Sequence, residues 1–130
     1  MLDYDDSLIE ATSFTLFLSS NYSGGGFAVQ LLWTSQTATT GDVRWEAAIE
    51  RQPTGFDLDS SNFGDDVTAI SAAPSTAGEI VATELSISAA ISGLPLAGER
   101  LRLRIRRNAA DAGDTMVGDA ELLAVEVREA

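Results

Sequence analysis

The chain has 130 residues, 45% of them hydrophobic, and carries a net charge of −12 with no histidine and no cysteine. That length suits one domain with a real core. The missing residue types exclude disulfides, thiolate metal sites, a cysteine nucleophile and all histidine-based acid–base or triad chemistry.

The acidity also opposes binding to nucleic acid or to anionic membrane surfaces, because both recruit cations. No apolar run approaches the roughly 20 residues of a membrane span. The start, Met-Leu-Asp-Tyr-Asp-Asp, lacks the basic-then-apolar pattern of a signal peptide. The expectation is a protein kept in the cytosol or carried out of the cell inside something larger. All eight basic residues are arginine. Two readings stand: GC-rich codon usage, or selection for bidentate partners to carboxylates.

In chain order, residues 2–6 read as a short first strand or an arm. Residues 11–18 alternate, with Thr12, Phe14, Leu16 and Leu18 on one face and Ser13, Thr15 and Phe17 on the other. Residues 19–26 are a turn by composition, ending in three glycines. Residues 26–34 follow as a strand whose apolar row is Phe27, Val29, Leu31 and Trp33. A Thr/Ser-rich loop closes at Gly41 and Asp42. Then Val43, Trp45, Ala47 and Ile49 alternate with Arg44, Glu46, Ala48 and Glu50.

Residues 52–66 have no strand rhythm. They are expected to form a crossover loop with one helical turn over 59–63, its apolar residues plugging an open end of the fold. Residues 67–72 are a strand. Residues 79–91 are a long one with Thr83, Leu85, Ile87, Ala89 and Ile91 in a row. In residues 99–107, Leu101, Leu103 and Ile105 alternate with Arg100, Arg102, Arg104 and Arg106. A period of two is a half-buried strand, not a helix. Residues 108–118 are an Asp/Gly/Ala loop, and residues 120–128 close the domain with Leu123, Val125 and Val127 inward. About eight strands without a competing helix predict a single all-β domain. Its expected form is an antiparallel two-sheet sandwich of the jelly-roll kind, one wet face per sheet, with an immunoglobulin-like sandwich as runner-up.

Asp111, Asp114 and Asp119 cluster near a sharp turn, where clustered oxygen ligands could hold calcium. Asp is also the standard turn residue, and the spacing matches no EF-hand. Asp57, Asp59, Asp65 and Asp66 read the same way. No other cofactor or metal is expected. Paired carboxylates could serve a glycosidase, but no deep cleft is visible, and no enzyme activity is expected. Gly24, Gly25 and Gly26 are no phosphate loop, since neither Lys-Ser/Thr nor a helix follows.

Four arginines on one face, about 7 Å apart, repel one another by about 0.6 kcal/mol per neighbouring pair in water. Partners must offset this. Glu46 and Glu50, or Glu84, Glu121 and Glu126, could lie across from them. Otherwise Arg100, Arg102, Arg104 and Arg106 are candidates for an interface with an acidic neighbouring subunit. Carbohydrate binding would need exposed aromatics, for which Tyr4, Tyr22, Phe27, Phe56 and Phe63 are the candidates.

Three segments carry a resemblance. They are Asn21-Tyr22-Ser23-Gly24-Gly25, then Leu32-Trp33 with Ser35 and the run from Ala38 to Trp45, and finally the run from Asn108 through Asp114-Thr115-Met116 to Leu123. On these the chain resembles a group of small proteins encoded by tailed bacteriophages, especially aquatic ones. The resemblance implies a virion-associated β-sandwich, such as a head decoration, cement or fibre component. It implies as partners the major capsid protein or other virion subunits, and self-association, by analogy as a trimer. The location implied is the virion, after assembly in the host cytoplasm. No catalytic residue comes with the resemblance. The competing expectation is a carbohydrate- or receptor-binding module of a phage tail or fibre.

Overall fold

The alternating segments become eight strands, here in a computed structural model that describes residues 2–60 and 62–130. They are β1 (Leu2–Tyr4), β2 (Glu10–Phe17), β3 (Phe27–Thr34), β4 (Asp42–Gln52), β5 (Val67–Ala72), β6 (Val81–Ile87), β7 (Arg100–Arg107) and β8 (Ala120–Glu129). Pairing is nested and antiparallel: β1 with β8, β2 with β7, β3 with β6 and β4 with β5. Two further pairings, β3 with β8 and β4 with β7, join these into sheets ordered β1-β8-β3-β6 and β2-β7-β4-β5. A long hairpin rolled up in this way is a jelly roll.

The apolar rows meet between the sheets. Phe27, Val29, Leu31 and Trp33 of β3 face Val43, Trp45, Ala47 and Ile49 of β4 and Leu101, Leu103 and Ile105 of β7, all buried. Trp33 lies edge-on to Trp45 at 5.7 Å between ring centres, and Tyr4 lies edge-on to Trp45 at 5.2 Å. Such pairs add about 0.5–1.5 kcal/mol each beyond the area they bury. The Trp33 indole N–H donates to Thr83 Oγ1, so one polar group inside is satisfied.

Four expectations are corrected. First, the outer face of β4 is not wet: Glu46, Ala48 and Glu50 are buried. The connection from β4 to β5 folds back over that face instead of plugging an end, with the Gly64 N–H donating to the Ile49 carbonyl and Asn62 N–H to the Glu50 carboxylate. Among the described residues its one helical turn is a 3₁₀ turn at Leu58–Ser60; the expected 59–63 turn includes Ser61, which lies outside the described residues. Second, β6 ends at Ile87. Residues 88–94 turn back on themselves through the Leu94 N–H to Ala89 carbonyl bond, leaving Ile91 exposed. Third, Leu123 is 40% exposed because the β3–β8 register slips between Leu32 and Trp33, a bulge that turns Leu123 out of the inward row. Fourth, Tyr4 and Phe27 are core residues, not surface aromatics.

Candidate interaction site on the arginine face

Register decides which charges meet. β4 sets Glu46 opposite Arg106, Ala48 opposite Arg104 and Glu50 opposite Arg102. On the other side β2 offers only Ala11, Ser13 and Thr15 to those three arginines. The acids therefore come from β4 and from the loop that follows it. Arg106 Nε lies 2.6 Å from Glu46 Oε1, Arg44 Nε lies 2.8 Å from Glu46 Oε2, and Arg102 Nη1 lies 3.6 Å from Glu50 Oε1. Asp66 bridges Arg104 at 3.1 Å and Arg106 at 2.9 Å. Arg44 also reaches Asp111 at 3.1 Å. The Phe63 ring lies under Arg104 and Arg102, at 4.7 and 5.2 Å from its centre. Each such contact is worth about 0.5–1 kcal/mol where water still reaches it.

Arg44, Arg102, Arg104 and Arg106 thus meet Glu46, Glu50, Asp66 and Asp111 within one chain, and the repulsion among the last three along β7 is offset internally. Arg100, opposite Gln52 and Phe17, makes no ion pair among the described residues. Glu84, Glu121 and Glu126 lie on the other sheet: Glu84 and Glu126 pair with Arg128, and Glu121 accepts from Gln36. An acidic partner docking on Arg102, Arg104 and Arg106 would have to displace acids already in place.

Burial alone would raise the Glu46 carboxyl. Hydrogen bonds from Arg44, Arg106 and Asn108 outweigh that and hold it below its ordinary range. A depressed carboxylate stabilises the fold above its unfolded pKa of about 4.3, and that stability is lost as pH falls through the folded value. Asp119 acts in the opposite sense. Burial, then the charges of Asp5, Asp3, Asp6 and Glu10, hold it above its ordinary range, so its ionisation at neutral pH weakens the fold. Glu46→Gln should cost about 1–3 kcal/mol at neutral pH, as charged hydrogen bonds do. Thermal melts taken from neutral pH downward should show the gap between wild type and variant closing below about pH 4.3. A gap that stays constant through that window would contradict the assignment.

The alternation of 99–107 carries a second signal beyond its four outward arginines. Arg107 shares the parity of Leu101, Leu103 and Ile105, so it points inward, and it is fully buried. Every one of its donors is used. Nε and Nη2 grip Asp114 at 2.9 and 2.8 Å. Nη1 donates to the Tyr4 and Gly118 carbonyls, and Nη2 also to the Met116 carbonyl. Arginine suits this position because its planar fork meets a carboxylate and three carbonyls at once. The doublet Arg106-Arg107 was the available clue, since one member of any adjacent pair on a strand must face the core.

The Asp111 loop is organised around that arginine. Asp114 also accepts from the Arg44 N–H. The Asp42 carbonyl accepts the N–H groups of Thr115 and Met116. Gly41, with φ of +88°, lies so close to the Met116 backbone that a Cβ would meet it at 2.8 Å, so no side chain fits there. Asp111 pairs with Arg44 and caps the Gly113 N–H, while Asp119 lies among the acids of residues 3–10. The three carboxylates suggested for calcium are not gathered around one point, and among the described residues no cluster of three or more acidic side chains is placed to hold a metal ion. The second acidic group is split as well: Asp57 accepts from the Asp59 N–H and the Ser60 hydroxyl, whereas Asp66 serves the arginines.

Of the candidate sugar-binding aromatics, Tyr22 stacks on Phe27 at 5.4 Å and donates its hydroxyl to the Gly25 carbonyl. Phe63 lies against the arginines. Tyr22 and Phe56 remain half-exposed. The most exposed aromatic is Phe17, at 76%, on the outer face of β2.

No protein-family model and no curated relative matches the chain at a significant level.

Proposed function

We propose that this chain is a structural virion protein of a tailed bacteriophage, most simply a decoration or cement protein bound to the outer head surface. The observation that carries the reading is how the three resembling segments are used. The segment 38–45 and the segment 108–123 interlock at one end of the sandwich, through Arg107, Asp114, Gly41 and the Asp42 carbonyl. The segment 21–25 shapes the other end, where Glu129 accepts from the Ser23 and Gly25 N–H groups. The segments that carry the resemblance thus build the scaffold of this chain, and a scaffolding role is what they support. The acidic surface suits a protein that must stay off packaged nucleic acid during assembly. Three-fold self-association is the expectation by analogy alone.

The alternative, a glycan- or receptor-binding module, loses Tyr4 and Phe27 to the core and Phe63 to the arginines. Mass spectrometry of gradient-purified virions tests the proposal. The chain should sediment with the particle at a fixed ratio to the capsid subunit. Its presence only in the soluble fraction of the lysate would overturn a virion role.

A further inference from the structure

The sandwich is closed on one flank and open on the other. β8 is paired with β3 along one edge from Glu121 to Glu129. Along its other edge β1 covers only Ala120, Glu121 and Leu122. Among the described residues no strand covers the rest of that edge, from Leu123 to Glu129. The strand facing it across the seam, β2, is itself the free edge of the other sheet. Backbone N–H and C=O groups at a regular spacing are a template for another extended backbone, and exposed edges are normally covered or blunted.

The side chains along the seam show the same gap. Phe14 and Leu16 of β2 and Val125 and Val127 of β8 belong to the inward rows, yet they are only half-buried. Two cavities lie along this seam. One, of about 320 Å³, is walled by Leu16, Tyr22, Phe27 and Val127; the other, of about 220 Å³, by Leu2, Phe14, Leu122 and Val125. Val125 and Val127 are two residues apart, which is the repeat of side chains on one face of a strand. Val127 walls one cavity and Val125 the other, so the walls of the two follow the repeat of an added strand's alternate side chains.

We infer that the seam accepts an extended segment of a partner polypeptide, running antiparallel to β8 between Leu123 and Glu129, apolar at its inward positions and basic at its outward ones. The direction follows from β1, which lies antiparallel on the same edge. The basic character follows from a chain of net charge −12 with Asp3, Asp5, Asp6 and Glu10 gathered near Asp119 beside one end of the seam, whereas Glu126 along it is already paired with Arg128. A second copy suits it less well. Two chains of −12 repel, and all eight strands are already placed in the sandwich. Joining two edges would add hydrogen bonds but bring no side chains into the cavities. Strand addition of this kind takes affinity from main-chain bonds and specificity from pockets for alternate side chains. The inference stands independently of the virion reading.

The test uses isotope-labelled full-length protein and two synthetic peptides of equal composition. One alternates valine and lysine; the other places the same residues in two blocks. Hydrogen exchange read amide by amide should show alternate β8 amides between Leu123 and Glu129 slowed by roughly tenfold or more with the alternating peptide only. Equal slowing by both peptides would reduce the effect to general stickiness and overturn the inference. So would no slowing at saturating peptide. Protection that is already present in the free protein and rises with its concentration would show that a second copy covers the seam, which also overturns it.

Discussion

Arg107→Met should lower stability by about 3–5 kcal/mol, the usual result of removing one member of a buried ion pair. Methionine has about the length of the stem and packs well, so the loss comes from what is left behind. Asp114 stays buried without its cation, and the carbonyls of Tyr4, Met116 and Gly118 lose their donor. An unsatisfied buried polar group costs about 1–3 kcal/mol. Four elements lose their common anchor at once: β1, the end of β7, the 108–118 loop and, through Asp114, the start of β4. Arg107→Lys should fall between wild type and Arg107→Met, since an ammonium keeps the charge but cannot reach all the acceptors as the fork does. Urea denaturation with an unchanged m-value measures this. A loss below about 1 kcal/mol would place Arg107 among ordinary surface ion pairs.

Leu103→Ala should cost about 2–5 kcal/mol, because the side chain is fully buried between the sheets and its removal leaves a cavity. Its neighbour Arg104 points the other way. Arg104→Ala should cost less, on the order of 1–2 kcal/mol, from charged hydrogen bonds to Asp66 and the stacking on Phe63. That exceeds the usual value for an exposed pair because the 53–66 loop covers this arginine. The two positions lie on opposite faces of one strand, so equal losses would contradict the register of β7 and with it the sheet order.

What was legible in the sequence was whatever depends on parity. Phe27 to Trp33, Val43 to Ile49 and Leu101 to Ile105 each alternate cleanly, and each row is buried as its alternation implies. The count of strands then leads to a jelly roll. Parity also holds for Arg107, where charge masked it: a cation next to Arg106 looks like part of the outward ladder until its odd position is weighed. The covering of Glu46 and Glu50 was not legible. It depends on a loop of fifteen or so residues without periodicity, whose path is set by contacts far apart in the chain, such as Phe63 on Arg104. The bulge that exposes Leu123 was hidden for a related reason. A one-residue slip leaves no mark in composition, only in the pairing with Leu32 and Trp33. The aspartates misled because turn-forming, ion-pairing and metal-binding aspartates share one residue type. Only the positions of Arg107 and Arg44 separate the roles of Asp114 and Asp111.

One inward arginine and its aspartate form the bolt of the sandwich, while the outward Arg102, Arg104 and Arg106 are neutralised by acids of the same chain. A double-mutant cycle on Arg107 and Asp114 measures it directly, using Arg107→Met, Asp114→Asn and the pair together. Each single variant should be strongly destabilised, and the double variant should be little worse than either alone, leaving a coupling energy on the order of 2–3 kcal/mol. Losses that simply add would mean the two side chains do not act as a unit, and would contradict the account.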